Sequence, residues 1–530
     1  MILNYFLFIL IILFQNNKSN GIFNKHHIKN HFSKFFENKF HNDNNLQIQS
    51  NNCNGDLSKE EYLALWSFAN SSEIVNSICF NKTLSSTWVF NGTNYDAPCK
   101  WNQYINCSTL IRNNNYCTVT SLILQNCQLN GTITSSISNL TSIEIFEIKE
   151  ARGDSYDMEF FYNSVVLSEF SVITHKEDSD RLSILGEIKS GLHGSIPSEL
   201  GLCTNLKILT LENLFIHGTL PSTLGNLINL QYLRIEGLIL HGPLPDELFN
   251  LDKLSYLHIG ANLMNGTLSD RIGLLTNLKS LVIYSNLMTG SIPETIKNLN
   301  QLTELGIFDL PRFTCDIPDI SLLVNLETLY LAGFFGPNIS SGSIKVCQFP
   351  DLHLPNLHTF IVGGGFYIRK LPKFTLPTVQ YFYFGLGLWE DKLDDLVSNL
   401  PSTVIGMGLT AMPCVYGQIP GSIEHLVKLH SLLVNDFPTM NQQENFKYIL
   451  NSSIKNILNS SFDFRLDRKF CSKTLSGSLP VEMTSMSTLK WIGFLNTPLN
   501  GSFFDVASSW SSIFTIFLLD NRYNTYHLNQ

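Results

Sequence analysis

Charge is scarce in this 530-residue chain: Asp, Glu, Lys and Arg make up 15% of it, and 44 acidic residues outnumber 35 basic ones for a net charge of −9. Without a basic surplus there is no stripe with which to neutralise phosphates, which argues against nucleic acid as a partner. Long apolar runs are missing too. The most extended, over residues 2–14 and broken only by Asn4, falls short of the roughly 20 residues that a membrane-spanning helix needs. The 11 cysteines contain no C-x-x-C pair, so zinc ribbons and thioredoxin-like redox chemistry find no support. Nor is there a G-x-S-x-G, a Walker loop, an H-E-x-x-H or a kinase signature. The chain is therefore expected to be no enzyme and to use neither cofactor nor metal. What it has in quantity is hydrophobic residues, at 44%, which argues for a packed fold and against disorder.

The apolar start is followed by Gln15, Asn16 and Asn17 and by the small residues Ser19 and Gly21. This order fits a signal peptide over 1–21, which would send the chain out of the cell. Residues 22–52 read as a disordered or amphipathic leader, with Ile28, Phe32, Phe35, Phe36 and Phe40 at helical spacing beside Lys29, Lys34 and Lys39. His26, His27, His31 and His41 lie in it without a Cys or carboxylate to complete a ligand set. Export makes the cysteines candidates for disulfides and each Asn-x-Ser/Thr a candidate glycan site. Beyond the signal segment these sites are Asn70, Asn81, Asn91, Asn106, Asn130, Asn139, Asn265, Asn338, Asn451, Asn459 and Asn500.

From Leu206 onwards the chain repeats itself. Leu209, Leu233, Leu257, Leu281, Leu305 and Leu329 fall at a constant interval, and so do Gly194, Gly218, Gly242, Gly266 and Gly290. Each unit opens with an L-x-L strand at period two, turns at the glycine, and carries a proline in Ile196-Pro197, Leu220-Pro221, Leu244-Pro245 or Ile292-Pro293. So small a unit buries too little apolar surface to fold alone and must pack against its neighbours. The same rule points back to Leu122, Phe146 and Phe170. Looser matches point forward to Phe360, Phe382, Met407, Leu432, Ile492 and Ile516, with one further coil near Phe462.

On these residues the chain resembles leucine-rich repeat proteins, and the G-x-[IL]-P turn is similar to that of the plant-type subclass of receptor ectodomains and polygalacturonase-inhibiting proteins. The resemblance implies an α/β solenoid, a right-handed horseshoe with a parallel sheet on its concave face and about sixteen coils. The coils would occupy 119–520, with insertions near 173–190 and 436–475 and a polar tail over 521–530. Residues 53–118, with Glu61-Tyr62-Leu63-Ala64-Leu65, Trp88 and Pro98-Cys99-Lys100-Trp101, resemble the family's N-terminal cap. Closeness in sequence and this resemblance suggest Cys99–Cys107 and Cys53–Cys79 disulfides. Cys117 pairs with Cys127, or Cys127 stays reduced at a ladder position; Cys315 and Cys347 would lie on neighbouring coils. The family's asparagine ladder is present at Asn262 and Asn286, but Leu214 and Leu238 replace it in two coils, where an irregular backbone is expected.

Residues flanking the strand leucines would line the concave face. They include Tyr232, Arg234, Glu236, Tyr256, His258, Tyr284, Glu304, Phe308, Tyr330, Tyr381 and Tyr383, with His258 read as a surface group. Tyrosine joins a large apolar face to a hydroxyl at low entropic cost and suits binding of protein or carbohydrate. The expected function is a secreted or cell-surface, non-catalytic module that binds an extracellular protein, peptide or glycan through this face. The alternatives are an inhibitor of an extracellular hydrolase, and an adhesion or matrix component or truncated receptor ectodomain.

Overall fold

A computed structural model describes residues 56–72, 104–109, 116–150, 191–308, 310, 312–332, 347–363, 371–385, 393–410, 418–435, 478–495, 506 and 515–519. Two layers of parallel strand, joined by short helical turns, enclose one continuous apolar core. The larger sheet has sixteen strands and follows chain order almost without exception. Each strand is short because the chain needs only about five residues of L-x-L pattern to cover its share of the core before it must turn.

Register carries the repeat from end to end. Leu122 pairs with Phe146 and Phe146 with Leu209. The series then runs through Leu233, Leu257, Leu281, Leu305 and Leu329. Phe360, Phe382, Met407, Leu432, Ile492 and Ile516 follow in line. These side chains down to Ile492 are at most 1% exposed. Where the position turns aromatic, Phe360 and Phe382 stack at 4.9 Å, and Phe374 packs edge-on to Phe360 at 5.1 Å. Larger rings there fill coils whose length departs from the regular period.

Phe146 pairs directly with Leu209 and Leu432 with Ile492; the expected coils at Phe170 and near Phe462 lie outside the described residues. The sheet reaches sixteen strands because Asp56–Leu57 and Ile105–Thr109 join its N-terminal side.

The described part of the cap is built on the helix Lys59–Ser71, whose N-cap Ser58 accepts a hydrogen bond from the Glu61 amide. Tyr62, Leu65 and Phe68 are buried, and the Phe68 ring meets Phe146 edge-on at 6.3 Å. The helix therefore covers the first coils, whose apolar end water would otherwise meet. Ile105–Thr109 runs antiparallel to Tyr116–Gln125 and closes the same end. Cys107, Cys117 and Cys127 are all disulfide-bonded, so Cys127 is not a reduced ladder residue. Cys53, Cys79 and Cys99 lie outside the described residues. Cys315 and Cys347 form a disulfide across 32 positions of sequence, while Cys203 is free and buried.

In most regular coils, proline precedes a one-turn 3-10 helix, as Pro221 does for Ser222–Asn226 and Pro245 for Asp246–Asn250. A fixed φ and a missing amide hydrogen are harmless at that entry point. Leu214 and Leu238 do not loosen the array as expected. Both are buried, and the chain after them enters the second-sheet strands Phe215–Thr219 and Ile239–Gly242. Pairing with the preceding coil begins directly after Leu238, at Ile239 with His217. At Asn262 the side-chain amide instead donates to the carbonyls of Ile235 and Gly260, at 3.2 and 2.6 Å.

Candidate functional site on the open sheet face

One face of the large sheet rests on the core and the other is open. In Tyr232–Glu236 the alternation is visible residue by residue: Leu233 and Ile235 are buried, while Tyr232, Arg234 and Glu236 are only half-buried. Register brings the expected residues into three rows. Tyr232, Tyr256, Ser280 and Glu304 share the first; Thr210, Arg234, His258 and Val282 the second; Glu212, Glu236, Gly260, Tyr284 and Phe308 the third. Tyr330, Tyr381 and Tyr383 continue the face further along.

Its N-terminal part is a chain of paired charges. Gln125 donates to Glu147 at 2.5 Å, and Lys149 lies between Glu147 and Glu212 at 3.3 and 3.7 Å. Arg234 bridges Glu212 and Glu236 at 2.7 and 2.6 Å. Burial opposes the Arg234 charge, yet Glu236 and Glu212 outweigh it and hold the guanidinium firmly protonated. Burial likewise lifts the Glu212 carboxyl above its usual range, against the pull of Arg234 and Lys149. Such half-buried, mutually satisfied charges hold neighbouring coils in register and offer a ligand little net attraction.

The middle of the face is a hydrogen-bonded relay. Ser280 donates to Glu304 at 2.6 Å, and its oxygen lies 2.7 Å from His258 Nε2. With the serine proton committed to Glu304, the imidazole must be the donor in the second bond. His258 is 8% exposed, not the surface group expected from sequence. Burial, with Arg234 next to it, lowers its pKa from 6.5 to about 3, so the ring is neutral. In a serine-histidine-acid triad the imidazole stands between the hydroxyl and the carboxylate and takes the serine proton. Here the serine stands between the other two, and the relay does not create a nucleophile.

Rings lie around this relay. Tyr232 and Tyr256 lie 5.5 Å apart, Tyr284 stacks on Phe308 at 4.9 Å, and Phe308 meets Tyr330 at 4.3 Å. Glycines on the same face shape this run, which sequence reasoning missed. A Cβ at Gly260 would lie 1.9 Å from the Tyr284 ring, and one at Gly408 would lie 2.2 Å from the Tyr383 ring. The aromatic rings thus lie over the backbone of adjacent coils. Tyr383 is half-buried, and burial raises its hydroxyl pKa against a hydrogen bond with Ser431. Among the described residues no group of three or more His, Cys, Asp or Glu converges as a metal site.

The described glycan candidates lie off these rows. Asn70, Asn139 and Asn265 are exposed, whereas Asn106 donates to Ser121 at 2.8 Å and Asn130 accepts from the amides of Gly131 and Gly191. Asn81, Asn91, Asn338, Asn451, Asn459 and Asn500 lie outside the described residues.

Residues 187–382 match the family profile described as a leucine-rich repeat region. That stretch is a leucine-rich repeat region, and the chain has the leucine-rich repeat fold. No curated protein matches it in sequence. Among solved structures, that of PEPR1-AtPEP1 aligns with 87% of this repeat protein at 20% identity and a TM-score of 0.54. The match spans 51% of that solved chain, about half its length. The ectodomain of the Arabidopsis receptor kinase HAESA, solved with an IDA peptide hormone ligand, aligns with 87% of this chain and 77% of its own at 17% identity, with a TM-score of 0.43. A plant ice-binding protein aligns with 64% of this chain and 89% of its own at 20% identity and a TM-score of 0.43. No helix among the described residues is long and apolar enough to cross a membrane.

Proposed function

We propose that this leucine-rich repeat protein is an exported, glycosylated, non-catalytic recognition module that binds an extracellular protein or peptide along the open face of its large sheet. The observation that carries the reading is the ring series Tyr284, Phe308 and Tyr330, which follows the sheet across three coils with centroids 4.9 and 4.3 Å apart. A partner laid across the strands meets the outer edges of this stack at one ring per coil. Tyr232 and Tyr256 form a separate ring pair on the same face, and Tyr381 and Tyr383 lie further along it. Export is supported by the exposed position of Asn70, Asn139 and Asn265, none of which obstructs the strip when it carries a glycan.

Affinity capture from extracellular medium tests the assignment. The wild-type chain is expected to retain a partner that the Tyr284→Ala, Phe308→Ala, Tyr330→Ala triple variant retains at least tenfold more weakly, since central aromatic anchors dominate such interfaces. Equal capture by a folded triple variant rules out this face as the binding surface.

A further inference from the structure

The second sheet presents a feature that neither the packing nor the open face of the large sheet uses. His193, His217 and His241 precede the turn glycine in three successive coils, and all three are exposed. Other coils fill the same position with Asn130, Asn265 and Thr289. The fold accepts a small polar residue there, so histidine at three consecutive coils is not a demand of the core.

Register fixes how the three lie. His193 pairs with Phe215 and Ser195 with His217; His217 pairs with Ile239 and Thr219 with His241. Each histidine is thus displaced by one strand and two residues from the last, and the even step keeps all three on one face. Strand spacing and rise put neighbouring Cα atoms about 8 Å apart. Imidazoles at that separation reach inward to share one ion between their ring nitrogens. His193 Nδ1 lies 2.9 Å from the Gly191 carbonyl; in the tautomer that donates this bond, Nε2 is left bare, as in histidines that hold metals. Paired residues beside them are Phe215, Ile239 and Leu263, with Thr132, Ser195 and Thr219 on the other side, and none of these carries a charge.

We propose that this staircase is a surface site for one divalent transition-metal ion of imidazole preference, such as Zn2+ or Cu2+, held by two histidines with water in the remaining positions. His217 is common to both possible pairs, His193–His217 and His217–His241. The site therefore takes one ion, His217 is essential, and either flanking histidine suffices.

Calorimetric titration of Zn2+ into the full chain, with the leader residues His26, His27, His31 and His41 changed to Gln, tests this. One ion per chain is expected, with affinity falling at least tenfold in His217→Thr. The single variants His193→Thr and His241→Thr are expected to lose only about twofold, and their combination to match His217→Thr. Threonine is chosen because Thr289 occupies this position in another coil, and because asparagine at 217 or 193 would create a glycosylation site ahead of Thr219 or Ser195. Unchanged thermal melting without metal establishes that the variants fold. Absence of Zn2+ binding in the parent, or unaltered binding in His217→Thr, overturns the proposal.

Discussion

Two buried titratable side chains set opposite demands on the medium. Glu61 lies on the buried side of the cap helix, where burial raises its pKa from 4.5 to about 7 despite a bond from Thr118 at 2.5 Å. The folded state then binds a proton that the unfolded chain releases, so the Glu61 contribution is complete below pH 4.5 and is lost as pH rises to about 7. For His258, depressed from 6.5 to about 3, the unfolded chain takes up the proton first, and stability is lost as pH falls below 6.5. A tenfold difference in proton affinity between the folded and unfolded chain is worth about 1.4 kcal/mol. Chemical unfolding at several pH values is expected to show the two slopes opposing each other between pH 4.5 and 6.5. Glu61→Gln removes the falling limb, so that stability then rises with pH relative to wild type. His258→Gln does the reverse. Parallel profiles for wild type and both variants contradict this account.

The strand and its turn are the level at which the glycines matter. Gly260 occupies a face position where its neighbours in the row carry glutamate and tyrosine, and the Tyr284 ring lies over it. In Gly260→Ala the ring must swing away from the new methyl group, which also unseats it from Phe308. Partner affinity is expected to drop about tenfold while melting changes little, because the ring moves toward water and no core atom is displaced. An affinity unchanged from wild type shows that the ring position is immaterial. Sequence could not supply this feature: the interval places Gly260 and Tyr284 on adjacent strands, but which way a tyrosine leans depends on its rotamer and on the absence of a methyl group one coil away. The burial of His258 was hidden for the same reason, since it comes from residues of neighbouring coils and not from its own strand. The strand leucines are another matter. Leu209 to Leu329 were legible because an identical interval and an identical side chain repeat together, and even Phe360, Phe382, Met407, Leu432 and Ile492 kept register through altered coil lengths.

At the scale of the whole molecule the described cross-links and the cap share one task. Each coil touches chiefly the coil before and the coil after, so local strength cannot be borrowed from a distant part of the chain. The Cys315–Cys347 disulfide closes a loop of 32 residues just where the regular period ends. Loop-closure entropy for that length corresponds to about 3–4 kcal/mol. Replacing both cysteines with serine is expected to lower the unfolding free energy by an amount of that order, most visibly in hydrogen exchange of the strands Thr328–Ala332 and Thr359–Gly363. Uniform loss of protection along the array, with no excess at these strands, argues against a local role.

The direct pairing of strand upon strand in chain order has one more consequence. A molecule assembled like a pile of coins has no interior that lies equally far from every surface; parted anywhere along its axis, it bares two fresh oily discs, each a near copy of the other. Injury to such a body would show itself less as unravelling than as stickiness, with cut ends seeking the cut ends of their fellows, and the cap helix over Phe146 stands guard against that at one end.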